Sequence, residues 1–287
     1  MESNPNLNSQ ASGVQPSDVG PAVTTNWPEA SVLKASMSLP QRRNSLSFAL
    51  LAALDAALDE AERGAARAVI LTGSEGCFCA GAEISYFTDS GSALAGDPAA
   101  IRDRYVREII RIFRRLQSAP FVTLAAVNGY ALGGGCELAL ACDLRIASDQ
   151  ARFALPEVKL GAVPGASGLQ QLARIVGRGR ALEMILLGRA VSASEAAAMG
   201  LVLSVHAATE LDEAALAMLA PLRSASPAAV TAAKHAIYAG ECEPATACDD
   251  LALSALDTVL AGPDWSEGMR AFREKRPAGF TETDPGP

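Results

Sequence analysis

No apolar run in this 287-residue chain approaches the roughly 20 residues needed to cross a bilayer, so no membrane partner is expected. Positive charge is also in short supply. The formal net charge is −8, which disfavours nucleic acid and anionic membrane, since both are gripped by basic surfaces. Histidine is scarce: only His206 and His235 occur, both in the C-terminal half, and no G-x-S-x-G elbow accompanies them. A serine–histidine hydrolase is therefore a poor reading, and no ligand cluster supports a metal. No G-x-G-x-x-G can be written across the one long glycine run, so a dinucleotide cofactor is not expected. The N-terminus lacks the basic and apolar stretches of a secretory signal, which points to a cytoplasmic setting. Residues 1–29, rich in Asn, Ser, Pro and Gly, are expected to form a disordered leader. The six cysteines mostly lie in apolar segments, as reduced, packed cysteines do, and Cys77-Phe78-Cys79 is too isolated from histidine to serve as a zinc half-site.

Short apolar strands alternating with longer amphipathic helices are what the chain does have. Phe48, Leu51, Leu54 and Leu58 recur at helical spacing between Leu46 and Arg63, and Gly64 follows as a stop. Ala68–Thr72 and Phe121–Val127 read as buried strands, with briefer ones at 144–147 and 152–154. Pro98–Leu116 reads as one helix, and further helical segments are expected near 169–176, 181–187 and 192–199. Strand–helix alternation implies an α/β fold of crossover units, and from Leu211 onward the pattern is almost wholly helical.

Three segments carry the chemistry. The run V-N-G-Y-A-L-G-G-G-C-E-L-A-L sets Gly133–Gly135 directly before a helix, where small residues allow close approach and helix N–H groups remain free. Glu137 falls in the first turn of that helix, where the macrodipole favours a carboxylate, so it also reads as an ordinary helix-terminal charge. The segment Ala80-Gly81-Ala82-Glu83 lies at the carboxyl end of another strand. Two such strand-end loops can aim two N–H groups at one point, which is what an oxyanion hole requires. The third segment, F-A-L-P-E-V-K-L-G-A-V-P-G, puts Glu157 in an apolar stretch; it either sits exposed beside Lys159 or is buried with a raised pKa. Two buried glutamates are suited to exchanging protons near neutral pH.

These segments, with E-G-M-R-A-F-R-E-K-R-P near the end, resemble the crotonase, or enoyl-CoA hydratase/isomerase, superfamily in order and spacing from about residue 31 to 280. The resemblance implies a spiral of ββα repeats over residues 30–205 and a helical trimerisation region over 206–287, assembled as a trimer or a dimer of trimers. It implies an acyl-CoA substrate and no separate cofactor. By the same resemblance Ala82 and Gly134 supply the oxyanion-hole N–H groups, Glu137 and Glu157 are the acid–base pair of a hydratase, and Gly165 helps orient a water. Ala80 and Arg42 fall where coenzyme A is bound, and Phe272 and Lys275 where a neighbouring subunit contributes. The sequence departs from the family pattern at Glu83, where aspartate is commoner, and at Ser85, where many members carry lysine. Other chemistries of the same family, double-bond isomerisation or carnitinyl-CoA-type dehydration, stand as alternatives. A non-catalytic RNA-binding scaffold is disfavoured by the acidic composition.

Overall fold

The computed structural model describes residues 20–280. The chain enters on β1 (Val23–Glu29), which pairs antiparallel with β2 (Val32–Met37). This corrects the expected leader, whose residues 23–29 are a strand; residues 1–19 and 281–287 lie outside the described residues. What the composition concealed is that this stretch has something to bury. Val23 enters the core, and the Trp27 indole lies over Gly64 and donates to Glu60 Oε1 at 3.1 Å.

α1 (Phe48–Arg63) is capped by Ser47, whose hydroxyl accepts the Leu50 N–H, and it buries Leu50, Leu51, Leu54 and Leu58. Then follow β3 (Ala68–Gly73), β4 (Cys77–Cys79), α2 (Ser85–Thr88) and α3 (Pro98–Ala100). A π-helical turn over Ile101–Val106 leads into α4 (Arg107–Ser118). The expected single helix from Pro98 to Leu116 is thus interrupted by a wider turn. Next come β5 (Val122–Val127), β6 (Tyr130–Leu132), α5 (Gly134–Ala141), β7 (Leu144–Ser148) and β8 (Arg152–Ala154). A 3₁₀ turn at Glu157–Leu160 precedes α6 (Gly168–Val176), α7 (Arg178–Leu186), β9 (Val191–Ser192), α8 (Ala193–Ala198) and β10 (Val205–His206). The helices α9 (Leu211–Leu219), α10 (Pro227–Gly240), α11 (Ala245–Leu260) and α12 (Pro263–Glu274) complete the described chain.

The strands form two sheets, one ordered β1-β2-β3-β5-β7-β10 and the other β4-β6-β8-β9. Pairing is parallel from β2 to β10 in the first and from β4 to β8 in the second. Successive pairs β3/β4, β5/β6 and β7/β8 each give one strand to each sheet and are followed by helix, so the chain winds as a ββα spiral. Of the second sheet, the sequence reading anticipated β8 at 152–154; β4, β6 and β9 escaped it because they are only two or three residues long, too short for a period to register. Among the described residues, no helix is long and apolar enough to cross a membrane.

Candidate active site

The loops that carry the chemistry leave the short strands of the second sheet, not the long strands of the first. β4 and β6 are parallel neighbours, so their carboxyl ends lie side by side, about 4.8 Å apart. Gly81 follows β4 at φ +100°, and an added Cβ would lie 2.6 Å from Leu132 O and 3.3 Å from Gly134 N. Gly133 follows β6 at φ +52° and turns the chain into α5. Both are conformations that glycine adopts without steric cost. The consequence is that the N–H groups of Ala82 and Gly134 converge. Neither has an acceptor among the described residues, and Gly134, first in its helix, has none by construction. The structure therefore brings together the two expected oxyanion donors.

Glu137 lies one turn into α5 with its carboxyl buried, not displayed as an exposed helix-terminal charge. Its Oε1 accepts the N–H groups of Ala166 and Gly168, each at 2.8 Å. Burial pushes its pKa up to about 7; these bonds pull the other way, and the Glu157 charge adds to the rise. A Cβ on Gly168 would lie 2.7 Å from Glu137 Oε1, so only glycine lets this amide approach.

Glu157 opens the 3₁₀ turn after Pro156, and burial raises its carboxyl as well. Its Oε1 lies 3.1 Å from where a Gly133 side chain would stand, and its Oε2 is buried with no hydrogen-bond partner. The alternative pairing with Lys159 does not occur; the Lys159 stem lies instead against Gly188. The two carboxyls are close enough for their charges to interact, Glu157 against the Gly133 turn and Glu137 against the Gly168 amide. Burial raises both; the Ala166 and Gly168 N–H groups oppose the rise at Glu137, and the residue's own N–H opposes it at Glu157. Gly165 contributes backbone polarity beside Glu137, and a side chain there would press on Val106 Cγ1 at 3.3 Å.

The remaining expected residues are placed less uniformly. Ala80, just past β4, donates its N–H to Arg43 O at 3.0 Å. Arg42 is ion-paired with Glu83 at 3.3 Å while staying largely exposed. Glu83 also accepts from Ser45 at 2.5 Å and Ser85 at 2.7 Å, so Ser85 serves the loop and offers no cation. The Asn44 side chain donates to Cys77 O and accepts from the Leu39 N–H, fastening this segment to β4. Phe272 and Lys275 lie on and just after α12; Phe272 is 84% exposed, and neither is brought to the glutamates within the chain. Sequence reasoning passed over Tyr105, which is 1% exposed and hydrogen-bonded to the Ala82 loop. It looked like one more apolar position on a helix, and no local signal distinguished it. Among the described residues, no group of three or more His, Cys, Asp or Glu side chains could hold a metal ion.

Comparison with known proteins points the same way. The family model described as enoyl-CoA hydratase/isomerase matches residues 28–283. A putative enoyl-CoA hydratase/isomerase of Bacillus subtilis is 40% identical over 85% of this chain and 92% of its own length. A short-chain-enoyl-CoA hydratase of Clostridium acetobutylicum is 38% identical over 86% of this chain and 93% of that protein. Among solved structures, the enoyl-CoA hydratase from Bacillus anthracis superposes with a TM-score of 0.83 at 36% identity, covering 91% of this chain and all of that one.

Proposed function

The chain belongs to the enoyl-CoA hydratase/isomerase family, and from that membership we propose that it reversibly hydrates a 2-enoyl-CoA to a 3-hydroxyacyl-CoA. The observation that carries the reading is the pair of raised carboxyls, buried Glu137 and half-buried Glu157, beside two converging unpaired N–H groups. The thioester carbonyl oxygen accepts from the Ala82 and Gly134 N–H groups. Water adds through its oxygen to the β-carbon, and the electron pair of the double bond moves to the carbonyl oxygen as an enolate. Glu137, as the carboxylate whose Oε1 accepts two N–H groups, takes the proton from the water, and Glu157 delivers its proton to the α-carbon as the enolate collapses. Proton return from Glu137 to Glu157 restores the starting state. Aiming fixed donors at an oxygen that gains charge is usually the largest catalytic contribution, about 2.7–4 kcal/mol per donor. Gly165 leaves room for the water beside Glu137.

The coenzyme A thioester is the substrate, and no further cofactor takes part. Ala80 and Arg42 bind coenzyme A from within the chain, with Arg42 shared with Glu83. Phe272 and Lys275 act from a neighbouring subunit of a homotrimer or dimer of trimers. Support for that assembly comes from α11, which buries none of its own side chains. Six unpaired cysteines suit a cytoplasmic setting.

Crotonyl-CoA supplies the test. Loss of its conjugated absorbance on mixing with enzyme, with 3-hydroxybutyryl-CoA as product, is the expected result. No consumption of crotonyl-CoA or of longer, branched and aromatic enoyl-CoA analogues would contradict the hydratase reading.

A further inference from the structure

The oxyanion donors are held by contacts that the reaction itself does not use. Leu46 N–H donates to Gly81 O at 2.8 Å, making half of a parallel bridge between Leu46 and Ala82. In an ordinary parallel bridge the Glu83 N–H would complete the other half by donating to Leu46 O. Here it donates to the Tyr105 hydroxyl at 2.9 Å, and that hydroxyl donates to Leu46 O at 2.7 Å. The phenol is a one-atom relay inserted into the bridge, directly beside Ala82. Leu46 also bears on the second donor: its Cδ1 is 2.8 Å from where a Gly134 side chain would stand. One hydroxyl thus sets the separation between two segments that carry or touch both donors.

The ring is placed with matching care. Tyr105 belongs to the π-helical turn Ile101–Val106, a rare wide turn frequently found at functional sites. Its ring meets Phe48, Tyr86 and Phe87 edge to face, with centroids 5.6, 5.5 and 5.6 Å away. The Tyr86 hydroxyl in turn accepts the Phe48 N–H at 3.1 Å. This cage fixes the phenol where a flexible side chain would let the bridge close or slip.

The geometry points to Tyr105 as a positioning residue for the oxyanion hole, setting the Ala82 N–H against the Gly134 N–H through its relay between Glu83 and Leu46. The inference rests on the reading of that hole given above. Without the hydroxyl, Glu83 N–H and Leu46 O are left to find each other, and the loop shifts by a fraction of the relay's length. Misplacement by about 1 Å can cost on the order of 100-fold in rate, so the loss falls on kcat and spares substrate affinity.

The test compares wild type, Tyr105→Phe and Phe87→Leu, which keeps the hydroxyl but loosens its cage. Two readouts are needed: the kinetics of crotonyl-CoA hydration, and the near-ultraviolet absorbance of the enolate formed when acetoacetyl-CoA binds. Ile112→Val, a buried change on α4, controls for general destabilisation. Tyr105→Phe is expected to lower kcat about 10- to 100-fold with KM nearly unchanged, to weaken the enolate band, and to leave the pH midpoints of kcat in place. Phe87→Leu gives a smaller loss of the same kind and carries the test if Tyr105→Phe does not fold. Ile112→Val leaves kcat and the band intact. An undiminished band and kcat in the variants overturn the role of Tyr105 while the hydratase reading stands. An enolate band in an enzyme inert to every enoyl-CoA sinks the hydratase reading, and the band alone then decides on Tyr105. Absence of the band in wild type removes the oxyanion hole and the inference together.

Discussion

Burial raises the Glu137 carboxyl from its ordinary 4.5 to about 7, so the folded chain binds this proton more tightly than the unfolded chain does. The associated stability is fully present below about pH 4.5 and is lost as pH rises through about 7. At neutral pH and above the protein carries an ionised, buried acid at a cost of up to about 3 kcal/mol. Glu137→Gln keeps an oxygen for the Ala166 and Gly168 N–H groups without the charge. Its Tm is therefore expected to exceed that of wild type at pH 8, with the gap closing toward pH 4.5, as a thermal-melt series would record. Equal gaps at both pH values would argue against the raised carboxyl. The segments holding Glu137, Glu157, Ala82 and Gly134 stood out in the sequence for their glycines and proline, and the family resemblance singled out these four within them. Tyr105 and the Glu83 contacts with Arg42, Ser45 and Ser85 did not, because they join positions far apart in the chain that carry no local pattern.

At the scale of elements, α10 is fastened to the spiral by one buried cation. Lys234 donates to Leu116 O at 2.9 Å and Phe121 O at 2.8 Å, and pairs with Asp143 at 2.8 Å. Asp143 also accepts from Tyr238 at 2.9 Å and from the Thr123 N–H at 2.7 Å. Removing one partner of a buried pair strands the other charge, so Lys234→Met should cost about 3–5 kcal/mol in denaturant unfolding. Asp143→Asn added to Lys234→Met should recover part of that loss. No loss in the single variant would mean that the other contacts of α10, among them Thr231 with Pro120 O, hold it without Lys234. α1 was legible because many residues repeat one period, and β3 and β5 because each is a nearly unbroken apolar run. The strands β4 and β6 were not, although they aim the active loops, because three residues carry too little pattern to stand out. The π-helical turn was equally hidden, since the apolar spacing from Pro98 to Leu116 reads as one continuous helix.

Over the whole molecule, the spiral has a well-filled core while the C-terminal helices do not complete one. α10 and α11 expose the large apolar side chains Ile237, Leu253 and Leu256, the kind of surface that marks an interaction face where it is contiguous. Light scattering is expected to give the mass of a trimer or of two trimers, and Leu256→Glu to reduce it. A monomeric wild type would contradict the assembly and with it the contributions of Phe272 and Lys275. The α/β order and the helical end were visible in the sequence, but which apolar side chains of the C-terminal helices stay exposed was not, because a helix with an open apolar face has the same period as one facing its own core. The central claim, that Glu137 and Glu157 act as one acid–base unit, is tested most directly by kcat on crotonyl-CoA for Glu137→Gln, Glu157→Gln and the double variant. Residues acting as a unit are grossly non-additive, so each single change should cost several orders of magnitude and the double change little more than either. Losses that multiply in the double variant, or a single variant that retains near-wild-type turnover, would contradict it.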